Sequence, residues 1–135
     1  MSTGYSGKPL TEKLGIKAGM AMTVIGPPAN YDEIIGELPD GVRTTSRLAG
    51  GRDAVLIFVS RGQDLARRVP GLIKAIAPNG MVWVAWPKRV SKIYTDITED
   101  VIREIVLPAG LVDVKVCAVD ETWSGLKLVI RRELR

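Results

Sequence analysis

Two uninterrupted apolar runs, residues 54–59 and 81–86, constrain the fold of this chain more than any other feature. Continuous apolar runs of this length are typical of strands that are covered on both faces of a parallel sheet. Between the two runs, residues 64–77 carry apolar side chains at helical spacing. This order of strand, helix and strand predicts a parallel sheet with helices packed against it.

The segments around this unit extend the α/β arrangement. A short helix over residues 8–15 precedes an apolar strand at 20–25, and Asn30 with Glu33 has the pattern of a capping box before a second short helix. Residues 42–48 are a weak strand candidate. Pro70 should kink the long helix or begin a second piece, and residues 77–80 have the composition of a turn. Thr98 can cap a further helix.

The chain ends in two predicted strands, residues 112–119 and 126–131, joined by only six residues. A link this short excludes a parallel crossover, so we expect an antiparallel hairpin. Val112, Val114, Val116 and Ala118 alternate along the first of these strands and should share one face. The 135-residue chain has no internal repeat, linker or low-complexity segment, so we expect a single domain over residues 1–135.

Composition excludes several classes of protein. No apolar run reaches the length of a membrane span, and the N-terminus lacks the apolar stretch of a signal peptide. Cys117 is the only cysteine, which prevents an intramolecular disulfide and fits a cytoplasmic protein. The absence of histidine excludes a Ser-His-Asp or Cys-His relay and a histidine-based zinc site. We therefore expect no metal, and an inert buried thiol at Cys117.

Several segments resemble the class I S-adenosylmethionine-dependent methyltransferases, whose fold is Rossmann-like. Residues 14–20 resemble the lead-in to that family's first strand, and residues 53–59, 72–80 and 81–84 resemble its fourth strand, the following helix and its fifth strand. The terminal antiparallel hairpin is a hallmark of the same fold. The resemblance implies a reduced doubly wound, mostly parallel sheet with helices on both faces. Because residues 48–54 are too short for another helix and strand, we expect the family's third strand to be deleted.

A closer resemblance, over the whole chain, is to an uncharacterised family of short bacterial proteins, domain-of-unknown-function family 3052. The resembling segments are residues 4–7, 14–16, 86–88, 98–101 and, most specifically, Val-Asp-Val-Lys-Val-Cys-Ala-Val-Asp-Glu-Thr-Trp-Ser-Gly-Leu-Lys at residues 112–127. This resemblance implies a cytoplasmic protein and supplies no reaction.

The loop after the first strand departs from the methyltransferase pattern. A loop that holds S-adenosylmethionine or a dinucleotide needs several glycines, whose backbone approaches the ligand with N–H groups pointing inward. Here Gly26 is followed by Pro27 and Pro28, which have no N–H and a fixed φ. The second strand ends near Ser46 and Arg47, without a carboxylate for the ribose. With the deleted strand, these departures predict no S-adenosylmethionine and no other cofactor.

The carboxyl ends of the parallel strands bring four loops to one edge, residues 26–30, 60–63, 87–92 and 120–124. Ligands of open α/β sheets bind at this edge. The chemically varied side chains of these loops are the candidate ligand-binding residues: Arg61, Lys88, Lys92, Asp120, Glu121, Trp123 and Ser124.

Several of these candidates also have a purely structural interpretation. A solvated basic loop explains Lys88, Arg89 and Lys92 as well as an anion site does. Trp123 would cover an edge of the core, and Asp120 would cap its turn or pair with Lys127. Tyr5 lies in a glycine-rich terminus that is either mobile or folded over the crevice.

These observations favour a non-catalytic ligand- or protein-binding module on a degenerate methyltransferase-like scaffold. The alternative is a divergent transferase acting on an anionic or phosphorylated substrate, with Arg61, Lys88 and Lys92 holding the anion and Asp120 or Glu121 acting as the base. The net charge of +4 falls within residues 61–135, which hold thirteen basic and nine acidic side chains. This bias suits a small anionic ligand or a protein partner.

Other partners are less favoured by the sequence. We expect no nucleic-acid binding, because no recognised motif or basic-aromatic stripe is present, and no membrane binding. Self-pairing at an exposed sheet edge beside the weak second strand would give a homo-oligomer, an alternative that the sequence leaves open.

Overall fold

A computed structural model of the protein describes residues 8–135. Tyr5 lies outside the described residues. The described part of the chain forms a six-stranded sheet with the order β2-β1-β3-β4-β6-β5. Strands β1 to β4 run parallel, whereas β6 is antiparallel to both β4 and β5. The strands are β1 (Ala21–Ile25), β2 (Arg43–Thr45), β3 (Arg52–Phe58), β4 (Ile76–Pro87), β5 (Leu111–Ala118) and β6 (Trp123–Ile130).

Four α-helices cover the two faces of the sheet. Helices α1 (Leu10–Leu14) and α2 (Tyr31–Ile35) pack on one face, and α3 (Gly62–Ala75) and α4 (Glu99–Val106) on the other. Each face therefore has its own apolar core, and the central strands are buried on both sides. The apolar runs predicted the parallel strands, and the reduced doubly wound sheet is the one that the methyltransferase resemblance implied. None of the helices in the described part is long and apolar enough to cross a membrane.

The crossover from β2 to β3 is very short. Only residues 46–51 join these two parallel strands, which lie on opposite sides of β1. Leu48 packs against the α3–α4 core, and Thr23 of β1 donates a hydrogen bond from Oγ1 to the carbonyl of Arg47 at 2.7 Å. The expected deletion of a third strand is confirmed, because β2 is at the edge of the described sheet and no helix or strand lies between β2 and β3.

Residues 77–80 do not form the separate turn that their composition suggested. They lie within β4 as a bulge, because Arg52 of β3 pairs with Ile76 while Ala54 pairs with Met81. Gly80 is required in this bulge, since a Cβ atom there would lie 2.9 Å from the carbonyl oxygen of Arg52. Helix α3 continues through Pro70, so no second helix begins there.

The two predicted N-caps have different outcomes. Thr98 caps α4, with its Oγ1 accepting the N–H of Val101 at 3.1 Å. Asn30 makes no side-chain cap bond to α2, and its φ of −95° and ψ of 23° are not the extended conformation of an N-cap. The capping-box prediction is therefore wrong. The turn before α2 is closed instead by the backbone, where Tyr31 donates its N–H to the carbonyl of Pro28 at 3.0 Å.

Strand β5 forms the other edge of the described sheet, and it is irregular. Its register with β6 shifts between Asp113 and Lys115, which places a bulge at Val114. The bulge interrupts the alternation, so the four apolar residues predicted to share one face do not do so. Val114 and Val116 are instead about half exposed.

Candidate functional site

The carboxyl ends of β1, β3, β4 and β5 lie at one edge of the sheet, as the sequence predicted. The loops that follow these strands nevertheless separate onto the two faces. The candidate residues therefore form two groups, one beside α1 and α2 and one beside α3 and α4.

Trp123 belongs to the group beside α1 and α2. Its ring meets Phe58 edge-on, with centroids 5.1 Å apart at 87°, and Phe58 meets Tyr31 in the same way at 5.8 Å and 84°. The three rings close the edge of this core. Burial, followed by the charge of Asp32, raises the pKa of Tyr31 to about 12. The packing supports the interpretation that Trp123 covers the core edge.

The turn that precedes Trp123 is organised by Asp120. One carboxylate oxygen, Oδ1, accepts the backbone N–H groups of Thr122 and Trp123, both at 2.8 Å. Asp120 therefore caps the turn, which is one of its two structural interpretations. Glu121 is exposed in the same turn, and Ser124 lies in β6, paired with Trp86 of β4 and Ala118 of β5.

The loop after β1 lies against the end of β3. Gly26 has a φ of +64°, and a Cβ atom at this position would lie 2.7 Å from the carbonyl oxygen of Phe58. The glycine is therefore explained by contact between two backbones. The next two residues, Pro27 and Pro28, offer no N–H group to a ligand. The first turn of α2 carries Asp32 and Glu33, which disfavour an anion there.

A crevice of about 640 Å³ opens beside this loop, on the face covered by α3. It lies between the ends of β1 and β3. The helices that follow these strands, α2 and α3, pack on opposite faces of the sheet, and ligands of α/β sheets bind at such points. Its polar lining comes from Ser60, Asp64, Arg67 and Arg68, and Asp64 forms an ion pair with Arg67.

A larger groove, of about 730 Å³, lies between the end of β4 and the start of α4. We refer to it as the β4–α4 groove. Trp86, Pro87 and Ile97 contribute apolar surface, and the loop of residues 88–98 with the first turn of α4 forms its walls. Of the predicted site residues, Lys92 lines this groove. Lys88 lies at its start, with its N–H donated to the carbonyl of Thr122 at 2.7 Å.

The loop of residues 88–98, which we call the groove loop, is held against the start of α3 by hydrogen bonds that two of its side chains make. Thr95 donates a hydrogen bond from Oγ1 to the carbonyl of Ser60 at 2.7 Å. Asp96 accepts the N–H of Gly62 at 2.7 Å through Oδ1, which satisfies a free donor at the start of that helix. The guanidinium of Arg61 lies 5.0 Å from the ring centroid of Tyr94. These contacts bring Arg61 to the groove loop, although residues 61 and 94 are far apart in sequence.

The tip of this loop exposes large apolar side chains. Val90 is 80% exposed, Tyr94 64% and Ile93 45%. Sequence reasoning missed these residues. The available signal was their alternation with Lys88, Arg89 and Lys92 in a segment that matches neither helix nor strand.

Most acidic groups of the groove are already paired. Arg103 forms ion pairs with Glu99 at 3.0 Å, Asp100 at 2.9 Å and Asp113 of β5 at 3.0 Å. Its hydrogen bond with Asp113 raises the pKa of Arg103 above the ordinary value. In contrast, the side chains of Arg89 and Lys92 have no ion-pair partner among residues 8–135. The groove lining thus has three cations and three carboxylates, and Arg89 and Lys92 are its two cations without an ion-pair partner in the described part of the chain.

Cys117 lies on β5, where it is half-buried and packs against the core on the face of α1 and α2. Burial raises the pKa of its thiol, against the opposing charges of Lys13 and Lys115. A raised pKa keeps the thiol protonated and weakly nucleophilic at neutral pH.

Several solved methyltransferases share this fold. An S-adenosylmethionine-dependent methyltransferase from Aquifex aeolicus superposes with a TM-score of 0.61 and 14% identity, over 90% of this chain and 87% of that one. The ribosomal protein L11 methylase of Lactobacillus delbrueckii subsp. bulgaricus gives 0.59 and 10%, over 91% and 75%. The magnesium protoporphyrin IX methyltransferase of Synechocystis PCC 6803 gives 0.58 and 9%, over 90% and 74%. Identities this low show the fold alone.

No curated protein matches the chain in sequence. A family match covers nearly all of it, from residue 12 to residue 132. The fold is thus methyltransferase-like, and the chain belongs to the family described as Protein of unknown function (DUF3052).

Proposed function

We propose that this protein is a non-catalytic binding module that has a methyltransferase-like scaffold, does not use S-adenosylmethionine, and recognises its partner through the β4–α4 groove. The observation that carries the proposal is the exposure of Val90, Ile93 and Tyr94 in a loop that is held in place. Clustered exposed apolar side chains on a soluble surface mark interaction sites.

The loop of residues 88–98 is held in a fixed position, and this supports a role in binding. Hydrogen bonds from Thr95 to Ser60 and from Gly62 to Asp96 hold the loop before any partner arrives. A partner that docks on a pre-ordered loop loses less conformational entropy, so more of the contact energy remains as affinity.

The loop after β1 supports the part of the proposal that this protein does not use S-adenosylmethionine. Gly26 is in contact with the backbone of β3, and the two prolines that follow donate no hydrogen bonds. These residues do not fit the glycine-rich loop that holds that cofactor. The non-catalytic role is supported by Asp120, because its Oδ1 already accepts two backbone N–H groups. Asp120 is therefore a poor general base for the alternative, a divergent transferase.

Thermal unfolding with and without ligands tests the cofactor part of the proposal. We expect S-adenosylmethionine, S-adenosylhomocysteine and common nucleotides to leave the melting temperature unchanged. A ligand at 100 times its Kd would stabilise the native state by about 2.7 kcal/mol, which such a scan detects. Reproducible stabilisation by S-adenosylmethionine would overturn the proposal and favour the transferase.

NMR mapping with phenylacetate tests the location of the binding surface. This probe combines an aromatic ring with a carboxylate, as the apolar tip and unpaired cations of the groove require. We expect the largest amide shifts within residues 86–103, and their loss in Ile93→Ser. The matched control is Val114→Ser, which removes a similarly exposed apolar side chain from β5. Shifts that are unaffected by Ile93→Ser, or that centre on another loop, would contradict the proposed surface.

A further inference from the structure

We infer that the partner bound in the β4–α4 groove is an acidic protein segment with a large apolar anchor residue. The inference rests on the proposed binding function and adds the chemistry of the partner. Three features of the groove carry it: its apolar tip, the two exposed cations Arg89 and Lys92 beside that tip, and the acidic groups elsewhere in the lining.

The apolar tip calls for an anchor side chain on the partner. Ile93 and Tyr94 line the groove from the loop, and Trp86 and Ile97 lie on the core side with little exposure. Val90 extends the apolar surface beyond the groove. An anchor residue placed against Ile93 and Tyr94 would remove from water the apolar surface that the protein alone leaves exposed.

The two exposed cations near the apolar tip favour acidic side chains beside that anchor. Asp96 accepts a hydrogen bond from the N–H of Gly62, and Glu99 and Asp100 form ion pairs with Arg103. Arg89 and Lys92 are exposed and have no ion-pair partner among residues 8–135. Carboxylates of a partner are the groups that these two cations would attract.

The remaining acids favour a protein segment over a nucleic acid or an anionic membrane. Asp96, Glu99 and Asp100 all line the groove, so a continuous row of phosphates would meet negative charge as well as positive. A polypeptide can place its few carboxylates at Arg89 and Lys92 alone. A concave groove of about 730 Å³ also suits a chain segment better than a flat lipid surface.

Selection from a display library of random twelve-residue peptides tests the inference, followed by calorimetric titration of the selected peptides. We expect peptides in which a large apolar residue is flanked by Asp or Glu. The double variant Arg89→Glu/Lys92→Glu should weaken their binding at least tenfold, which corresponds to about 1.4 kcal/mol. Ile93→Ser should weaken it similarly. Binding should also weaken as the salt concentration rises.

The matched control is Lys74→Glu/Arg132→Glu, which reverses the same number of charges at exposed positions outside the groove. It should retain peptide binding within twofold. Unchanged melting temperatures show that the variants are folded, since residues 89, 92 and 93 are exposed.

The outcomes separate failure of the inference from failure of the proposed function. Selection of no peptide, of peptides without acidic residues, or of peptides indifferent to Arg89→Glu/Lys92→Glu would overturn the inference. Binding to phosphatidylglycerol vesicles or to a single-stranded oligonucleotide that needs Arg89 and Lys92 would also overturn it, but would leave the binding function intact. Stabilisation by S-adenosylmethionine would instead overturn the function itself.

Discussion

Replacing Gly26 by alanine should destabilise the protein more than a positive φ alone explains. The new Cβ would lie 2.7 Å from the carbonyl oxygen of Phe58, a distance that real Cβ atoms essentially never show. The left-handed conformation costs an alanine about 1–2 kcal/mol, and forced repacking adds about 1–3 kcal/mol. The free energy of unfolding should therefore fall by about 2–5 kcal/mol.

Gly19→Ala is the matched control. Gly19 has a φ of +79°, and a Cβ atom there would meet nothing within 4 Å, so only the conformational cost applies. In urea denaturation with a slope of about 2 kcal/mol/M, the two variants should differ in midpoint by about 1 M. Equal midpoints for Gly26→Ala and Gly19→Ala would refute the backbone contact. They would indicate a loop with the free space of a ligand-binding loop.

Three further predictions concern single groups. Trp83→Phe should lower the free energy of unfolding by about 1–3 kcal/mol, because the carbonyl of Leu14 loses the Nε1–H donor that now lies at 2.9 Å; an unchanged urea midpoint would contradict this. Thr98→Ala should cost about 1 kcal/mol by removing the α4 cap, whereas Thr98→Ser should retain most of it. Tyr31 should ionise near pH 12 in absorbance titration at 295 nm. Because its folded pKa is raised above that of the unfolded chain, its contribution to stability is complete below pH 10 and is lost between about pH 10 and 12. The phase near pH 12 should be absent in Tyr31→Phe, and its persistence there would assign it to another group.

The sheet was predictable because its signals are local and redundant. Continuous apolar runs marked β3 and β4, and the six-residue link made β5 and β6 antiparallel. Thr98 was predictable as a cap because an acidic first turn follows it. Asn30 was not, because the two preceding prolines and the Pro28 turn set its backbone in a conformation that composition does not reveal.

The candidate site was predictable only in part. The order of strands and helices predicts at which edge of the sheet a loop lies, but it does not predict on which face of the sheet the loop packs. Trp123 and Ser124 are neighbours, yet alternation along β6 turns Trp123 toward Phe58 and Ser124 away from it. The link between Asp96 and Gly62 joins residues 34 positions apart, and no local pattern predicts such a contact. Val90 resembles a core residue in sequence, and only the fold shows that the core does not reach it.

The bulge at Val114 also has a consequence for how the molecule behaves in crowded solution. Strand β5 is an edge strand of the described sheet, and the outer backbone groups of an edge strand are a template for pairing with another chain. A regular ladder is needed for such pairing, and the extra residue between Asp113 and Lys115 breaks it. Deleting Val114 would restore an even ladder in the most apolar exposed strand of the described sheet. We expect the variant without Val114 to associate more readily than the natural chain, which sedimentation of concentrated samples would measure.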